Sequence, residues 1–329
     1  MMEIINNIFV GDSRKVLKTF PDAVVNTTVT SPPYYNLRDY GTATWIDGDE
    51  NCSHLSDRSE YETNYKNSKQ SSNKGTQNRD IIKYDICPQC GAKREDNQIG
   101  LERSLEEYIE QLCLVFDEVY RVTKDDGTFW LNIGDCYARG GEINSDGRRG
   151  FSGAKGLGYK NKKVDGLTPK DLIGVPWRLA FELQKRGWIL RSDIIWSKLN
   201  PMPESCTDRP TMSHEYLFLF AKNQKYYYDH ESIMEKTVGT EYTKRNKRDV
   251  WSVKVASYPE AHCATFPIEL ISPCIKSGSP EGGLVLDPFM GSGTVAQTAK
   301  QLSRNYTGCE LNPDYHKIIN NRLRQGELF

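Results

Sequence analysis

The sequence predicts an α/β fold, a mostly parallel sheet with helices on both faces. Three features predict it. Helical periodicity alternates with short apolar runs along most of the chain. A β-branched run at Asp22–Thr30 (DAVVNTTVT) stops at Ser-Pro-Pro, and a second apolar run at Leu284–Phe289 (LVLDPF) turns through glycines into a helix. Prolines cannot continue a central ladder, so the first run is a buried strand with a loop at its carboxyl end. Parallel strands need crossover helices, and sheets built that way are covered on both faces.

The remaining elements follow in order. Ser104 and Glu107 form a capping box that opens a helix through Val122, after which Asp125-Asp126-Gly127 leads into the strand TFWLNIGD. Thr168-Pro169 predicts the start of a helix through Arg186, Gly187 ends it, and WILRSDIIWSK follows as a strand. A helical segment over Pro267–Ile275, the strand LVLDPF, a helix from Thr294, the strand NYTGCEL and a last helix opened by Asn312-Pro313 complete the alternation.

Three stretches break the rhythm. Residues 46–98 are almost wholly polar and read as an insert. Residues 139–166 hold eight glycines and seven Lys or Arg against three acids, the composition of a mobile basic loop. Residues 202–261 read as irregular, with prolines, the run Tyr226-Tyr227-Tyr228 and the basic cluster Lys244–Arg248. The predicted organisation is thus 1–45, insert 46–98, 99–201, an irregular region 202–261, and 262–329.

Composition narrows the class. The chain has 329 residues, 43 Lys plus Arg and 44 Asp plus Glu, and no apolar run of the length a membrane span needs. Nine cysteines, mostly single and within apolar runs, suit a reducing cytoplasm better than a disulfide scaffold. The net charge of −1 hides an asymmetry, because residues 139–261 carry 22 basic and 15 acidic side chains. An excess of seven positive charges in one stretch fits a polyanionic partner.

Two motifs carry chemistry. In LVLDPFMGSGT, Gly291 and Gly293 let the backbone approach a ligand, and Glu310, at the end of the next strand, is placed to hold ribose hydroxyls. Asp287 would repel a pyrophosphate, which points to a nucleoside cofactor with a cationic or neutral group instead. In Thr30-Ser31-Pro32-Pro33-Tyr34 the two prolines lack N–H groups, so the carbonyls around them are acceptors without competing donors. Beside a Ser hydroxyl and a Tyr ring, this arrangement can accept both hydrogens of an amino group and stack on a planar base.

Together with GDS at Gly11–Ser13, TSPPYYNLRDYG, DGTFWLNIGD, IIWSKLNPMPES, HCATFPIEL and GCELNPDY, these motifs make the chain resemble the permuted (beta-class) DNA amino-methyltransferases that use S-adenosylmethionine. The resemblance covers most of the chain. It implies a Rossmann-like methyltransferase fold with the catalytic motif ahead of the cofactor motif. It assigns Ser31, Pro32, Pro33 and Tyr34 to catalysis, and Asp12, Thr265, Phe266, Asp287, Phe289, Gly291, Gly293, Thr294 and Glu310 to S-adenosylmethionine. Double-stranded DNA is the implied substrate, a restriction endonuclease is a partner open to it, and 202–261 is where this family carries target recognition. Ser at the first catalytic position leans toward cytosine N4, with adenine N6 the alternative. RNA as the methyl acceptor, and a catalytically inactive nucleic-acid-binding protein, are the other readings left open. Carbon-5 methylation is disfavoured, because it needs a thiolate and Cys274 sits in an apolar helical segment.

Two expectations stand apart. Cys52, His54, Cys87 and Cys90 form two close pairs, the second in a Cys-Pro-x-Cys-Gly turn, and predict a structural Zn²⁺ that orders the polar insert. Arg148, Arg149, Lys162 and Lys163 are expected on DNA phosphates. Arg245 and Arg248 are expected on DNA as well, at guanine edges or at the backbone.

Overall fold

The computed structural model describes residues 3–37, 40–52, 86–138, 164–237, 243–255 and 266–325. Among the expected site residues, His54, Arg148, Arg149, Lys162, Lys163 and Thr265 lie outside the described residues.

The strands are β1 (Asn7–Val10), β2 (Val25–Thr30), β3 (Thr44–Ile46), β4 (Lys93–Glu95), β5 (Thr123–Ile133), β6 (Ile189–Lys198), β7 (His214–Ala221), β8 (Glu235–Lys236), β9 (Lys244–Arg245), β10 (Val250–Val253), β11 (Leu284–Asp287) and β12 (Asn305–Glu310). The α-helices are α1 (Ser13–Val16), α2 (Leu105–Val122), α3 (Val175–Lys185), α4 (Ile268–Gly278), α5 (Thr294–Gln301) and α6 (Pro313–Gln325). Among the described residues, eight strands form one sheet in the order β1-β12-β11-β2-β5-β7-β6-β10. Every neighbouring pair is parallel except those made by β7, which runs antiparallel to β5 and β6. The predicted α/β fold is therefore what forms.

Alternation along the strands divides the core into two. Phe129, Leu131 and Ile133 of β5 pack with Leu284 and Leu286 of β11 against α2 and α3, whereas Trp130 and Val285 point to the other side, against α4 and α5. Helix α2 meets its core through Leu105, Tyr108, Leu112, Val115, Phe116, Val119 and Val122, all buried and falling on one face of the helix. Each of the larger side chains contributes about 1.5–3 kcal/mol by leaving water. Its start is as expected, with the Glu107 N–H donating to Ser104 Oγ at 3.1 Å.

Connectivity fixes where a ligand can sit. From β11 the chain passes through α5 to β12 on one side of the sheet order, and from β2 it passes through α2 to β5 on the other. The point of reversal lies between β2 and β11. Ligands of such sheets bind outside the carboxyl ends of the strands at that point. Both predicted motifs, Ser31–Tyr34 and Asp287–Thr294, follow directly from those two strand ends.

Two expectations are corrected. The helix expected from Thr168 begins at Val175. Thr168 instead makes a turn of its own, its N–H and hydroxyl donating to Asp171 Oδ2 at 2.7 and 2.8 Å. The helix start is set from elsewhere: Gly174 takes a left-handed conformation (φ 75°), and Asp135 Oδ1 accepts the N–H groups of Gly174 and Val175, both at 3.0 Å. A cap supplied from the loop after β5, far away in sequence, leaves no local signature. The second correction concerns 202–261, read as irregular throughout. It supplies β7, five of whose residues are buried, and the edge strand β10. The sequence HEYLFLFA is a central strand covered on both faces, so its apolar run has no alternation by which to be recognised.

Replacing Asp135 removes the cap of α3 and one acceptor of the Cys136 N–H. We expect Asp135→Ala to cost about 2 kcal/mol of unfolding free energy, and Asp135→Asn less, since it keeps one acceptor oxygen. A lower denaturant midpoint at unchanged m-value is the measurement that checks this.

Candidate active site

A cleft of about 220 Å³ opens at the carboxyl ends of β2 and β11. Ser31, Pro32, Pro33 and Tyr34 line one part of it, and Asp12, Phe266, Asp287, Phe289, Gly291, Thr294 and Glu310 line the rest. All of these were expected at the catalytic or cofactor site. Gly293 is the exception among the described residues. It lies outside the lining, adopts φ 81° as the N-cap of α5 and packs where a Cβ would meet Ile319 at 2.9 Å. Its place is the turn and the helix contact behind it.

The two motifs are joined directly. The Thr30 hydroxyl donates to Asp287 Oδ1 at 2.6 Å, and that oxygen also accepts the Phe289 N–H at 3.0 Å. Glu310 closes the glycine turn from the next strand, Oε2 accepting from Gly291 N–H and Oε1 from Asn312 N–H, each at 2.8 Å. Burial pushes both carboxyls up to about 7, and for Asp287 the nearby Glu310 adds to the rise. Two acids poised near neutrality in one cleft favour a ligand that brings positive charge.

Other expected residues also act through backbone. Asp12 caps α1 through Arg14 N–H at 2.9 Å and pairs with the Arg14 guanidinium at 2.8 Å. Ser13 donates to the Pro288 carbonyl, which ties the Gly-Asp-Ser turn to the cofactor loop. Thr294 Oγ1 and Ser292 Oγ both accept from Arg322 Nη1, at 3.0 and 2.8 Å, so α6 pins the turn from behind. Arg322 carries no sequence signal beyond a basic residue on a polar helix.

Around Tyr34 lies a network that reasoning from sequence missed. The Tyr34 hydroxyl donates to Glu215 Oε2 at 2.7 Å, Asn132 Nδ2 donates to the same oxygen at 3.1 Å, and Lys198 Nζ meets Glu215 Oε1 at 2.5 Å. Ser31 Oγ lies 3.4 Å from the Tyr34 hydroxyl. Burial first, and then the charge of Glu215, raise the Tyr34 hydroxyl well above its ordinary value, which keeps it a donor. The ring itself rests against Gly134, where a Cβ would come within 2.8 Å of Tyr34 Cε2. Tyr108 donates to the Pro33 carbonyl at 2.9 Å, whereas no such donor meets the Pro32 carbonyl among the described residues. Glu215 lies in the stretch read as irregular, so its pairing with residues of β5 and β6 could not be seen.

Three of the four expected zinc ligands come together. The Sγ atoms of Cys52, Cys87 and Cys90 all lie within 4.8 Å of one another. Arg245 and Arg248 instead share one acceptor, Glu235 Oε1, at 2.7 and 2.6 Å. The predicted basic cluster is thus partly neutralised within its own hairpin, β8–β9. Cys274 is buried in α4 and its thiol is pushed far up by burial, the opposite of a nucleophilic thiolate. Among the described residues, no helix is long and apolar enough to cross a membrane.

Comparison with known proteins agrees with this geometry. The chain is 42% identical over 326 residues to the type II methyltransferase M.Cfr9I of Citrobacter freundii, covering 97% of this chain and 88% of the relative. It is 40% identical to the type II methyltransferase M.SmaI of Serratia marcescens, covering 96% and 90%. In fold it is similar to the PvuII cytosine-N4-specific DNA methyltransferase (TM-score 0.60, 17% identity, 96% and 85% of the two chains). It is also similar to a Thermus thermophilus protein assigned as a DNA modification methylase and solved with S-adenosyl-L-methionine (TM-score 0.55, 19% identity, 98% and 94%). The N6/N4 methylase family model, described as DNA methylase, matches residues 25–321, a range that includes Ser31–Tyr34, Glu215 and Asp287–Glu310: this chain belongs to the DNA methylase family.

Proposed function

We propose that this chain methylates double-stranded DNA on the exocyclic amino group of a base, cytosine N4 ahead of adenine N6, with S-adenosylmethionine as methyl donor. The observation that carries the reading is the single cleft in which Ser31 and Tyr34 adjoin Asp287, Gly291 and Glu310. The lining fits such a cofactor, because it combines two buried acids, Phe266 and Phe289 as flat apolar partners, and a glycine turn. Bound there, S-adenosylmethionine supplies an electrophilic methyl group. Ser31 Oγ and the Pro32 carbonyl accept the two amino hydrogens and so aim the nitrogen lone pair toward the cofactor end of the cleft. Tyr34, held by Glu215 and Gly134, offers its ring to a base flipped out of the duplex. A type II relative suggests a cognate restriction endonuclease as companion, in a cytoplasm that keeps thiols reduced. On the same reading a structural Zn²⁺ is held by Cys52, Cys87 and Cys90, and DNA is met by 202–261 outside β7 and β10, with Arg245 and Arg248 in that part.

Incubation of duplex DNA with labelled S-adenosylmethionine, digestion to nucleosides and mass analysis tests the chemistry. N4-methylcytosine is expected, whereas N6-methyladenine would retain the mechanism and overturn the base. Transfer to RNA alone would overturn the substrate, and cofactor binding without transfer would leave a binding protein. Ser31→Ala is expected to lower turnover with little change in cofactor affinity. Gly134→Ala displaces the Tyr34 ring, and a misplacement of about 1 Å costs on the order of a hundredfold in kcat. Single-turnover methylation with thermal melts on the same samples separates that effect from instability.

The acids predict a pH dependence. Burial pushes both up to about 7, and a cationic ligand stabilises their ionised forms. Affinity for S-adenosylmethionine should therefore rise from pH 6 to pH 8, with protons released on binding. Calorimetry in two buffers of different ionisation enthalpy reads that release directly, and Asp287→Asn should diminish it.

A further inference from the structure

Between β2 and α2 the chain makes a small lobe around the two-stranded sheet β3–β4, with three residues in each strand. A two-stranded sheet of that size is marginal without a core or a staple. Among the described residues it has almost no core: Ile46 and Ile86 are exposed, and Cys87 and Ala92 are the buried apolar residues close to the turn. The turn is nevertheless sharply formed, with Cys87 N–H donating to the Ala92 carbonyl at 2.7 Å and Gly91 N–H to the Cys87 carbonyl at 2.9 Å.

The donor set fits zinc. Cys52 Sγ and Cys87 Sγ are 3.8 Å apart, and Cys90 Sγ lies within 4.8 Å of both. Two thiolates bound at about 2.3 Å in a tetrahedral shell stand about 3.8 Å apart, and a disulfide would need about 2.05 Å. Hard cations prefer oxygen, so three sulfurs select a thiophilic divalent ion.

The lobe runs straight into the cleft. Immediately after β4, Asp96 pairs with Arg94 at 3.0 Å and accepts the Gln98 N–H at 3.1 Å. Gln98 Oε1 accepts the Tyr40 N–H at 2.7 Å, and the Asn97 carbonyl accepts Arg14 Nη2 at 3.0 Å. Arg14 is the partner of Asp12, and Asp12, Asn97, Gln98 and Ile99 all line the cleft. We infer that a zinc ion held by Cys52, Cys87 and Cys90, with one position left to a fourth donor, fixes the wall formed by residues 96–99. Metal loading is thereby a condition for tight binding in the cleft, a step that rests on the cofactor reading above. The ion takes no part in methyl transfer.

The test uses the full chain. Purified protein is expected to hold about one zinc. Stripping it with a chelator, and separately Cys87→Ser with Cys90→Ser, should speed hydrogen exchange over 93–100 and weaken S-adenosylmethionine binding about tenfold or more, within the usual range of coupling between sites. Exchange in β5 and β11 should be unchanged, and zinc added back to the stripped wild type should restore both readouts. Should the cysteine variant fail to fold, the stripped and reloaded wild type gives the same comparison. Protein that neither holds nor takes up zinc overturns the inference. So does zinc removal that leaves exchange over 93–100 and cofactor affinity unchanged. Zinc-dependent protection of 93–100 in a loaded protein that binds no S-adenosylmethionine would sustain the metal site and overturn the cofactor reading instead.

Discussion

The hydrogen bond from Thr30 to Asp287, 2.6 Å long between residues 257 apart in sequence, is the contact on which the cleft depends. It exists because β2 and β11 are parallel neighbours, with Thr28 opposite Leu286, so both strands end at the same level. Parallel pairing delivers two carboxyl ends to one place, and the reversal of strand order there leaves a crevice that no crossover helix fills. Neither motif could form a site alone. Ser31–Tyr34 would lack the cleft wall that Asp287–Glu310 supplies, and Asp287 would lose the donor that helps offset its burial.

A second constraint works at right angles to the first. Tyr34 reaches across the sheet order to Glu215 on β7, which is held in turn by Lys198 on β6 and Asn132 on β5. Three adjacent strands therefore fix one ring. That requires β7 to run antiparallel, because β5 and β7 pair Ile133 with Tyr216 and so bring the start of β7 to the carboxyl end of β5. A parallel strand in that place would present its other end. The half-buried ion pair is worth little as stability on general grounds, since desolvation offsets much of its attraction. Its value lies in orienting the Tyr34 hydroxyl and ring, the group whose displacement Gly134→Ala tests.

How much of this was legible in the sequence follows from the range of each interaction. The strands β2 and β11, the capped helix α2 and the two motifs carry local signatures: β-branched runs, a capping box, paired prolines, spaced glycines. All are present where they were read. What was missed is non-local. The start of α3 depends on Asp135, 39 residues before Gly174, and the strand β7 is buried on both faces and so shows no alternation. Glu215 was invisible for the same reason, since a single acid in an apolar run acquires meaning only from the neighbours that pairing gives it. Gly293 shows the converse. Its spacing marked the motif correctly, but its left-handed backbone serves the entry to α5 and the packing on Ile319, not the ligand surface.

The order of the two motifs along the chain, Ser31–Tyr34 ahead of Asp287–Thr294, has a physical reading in the same terms. Strand β1 lies beside β12, with Asn7 opposite Thr307, so elements near the two limits of the described chain are sheet neighbours. Sheet position is set by side-chain burial and crossover handedness, not by the order in which segments are synthesised, and neighbouring segments of this kind are where a chain can be reconnected without disturbing its core. What must be conserved under such a change is the β2–β11 junction, because the Thr30–Asp287 bond and the cleft form wherever those two strands meet. Ser31–Tyr34 can therefore precede Asp287–Thr294 in the chain without changing the cleft they share, provided that the loops which cross the junction remain long enough to close it. Here the longest of those connections, between β2 and α2, contains the three-cysteine lobe, and its residues Asn97, Gln98 and Ile99 form part of the cleft wall.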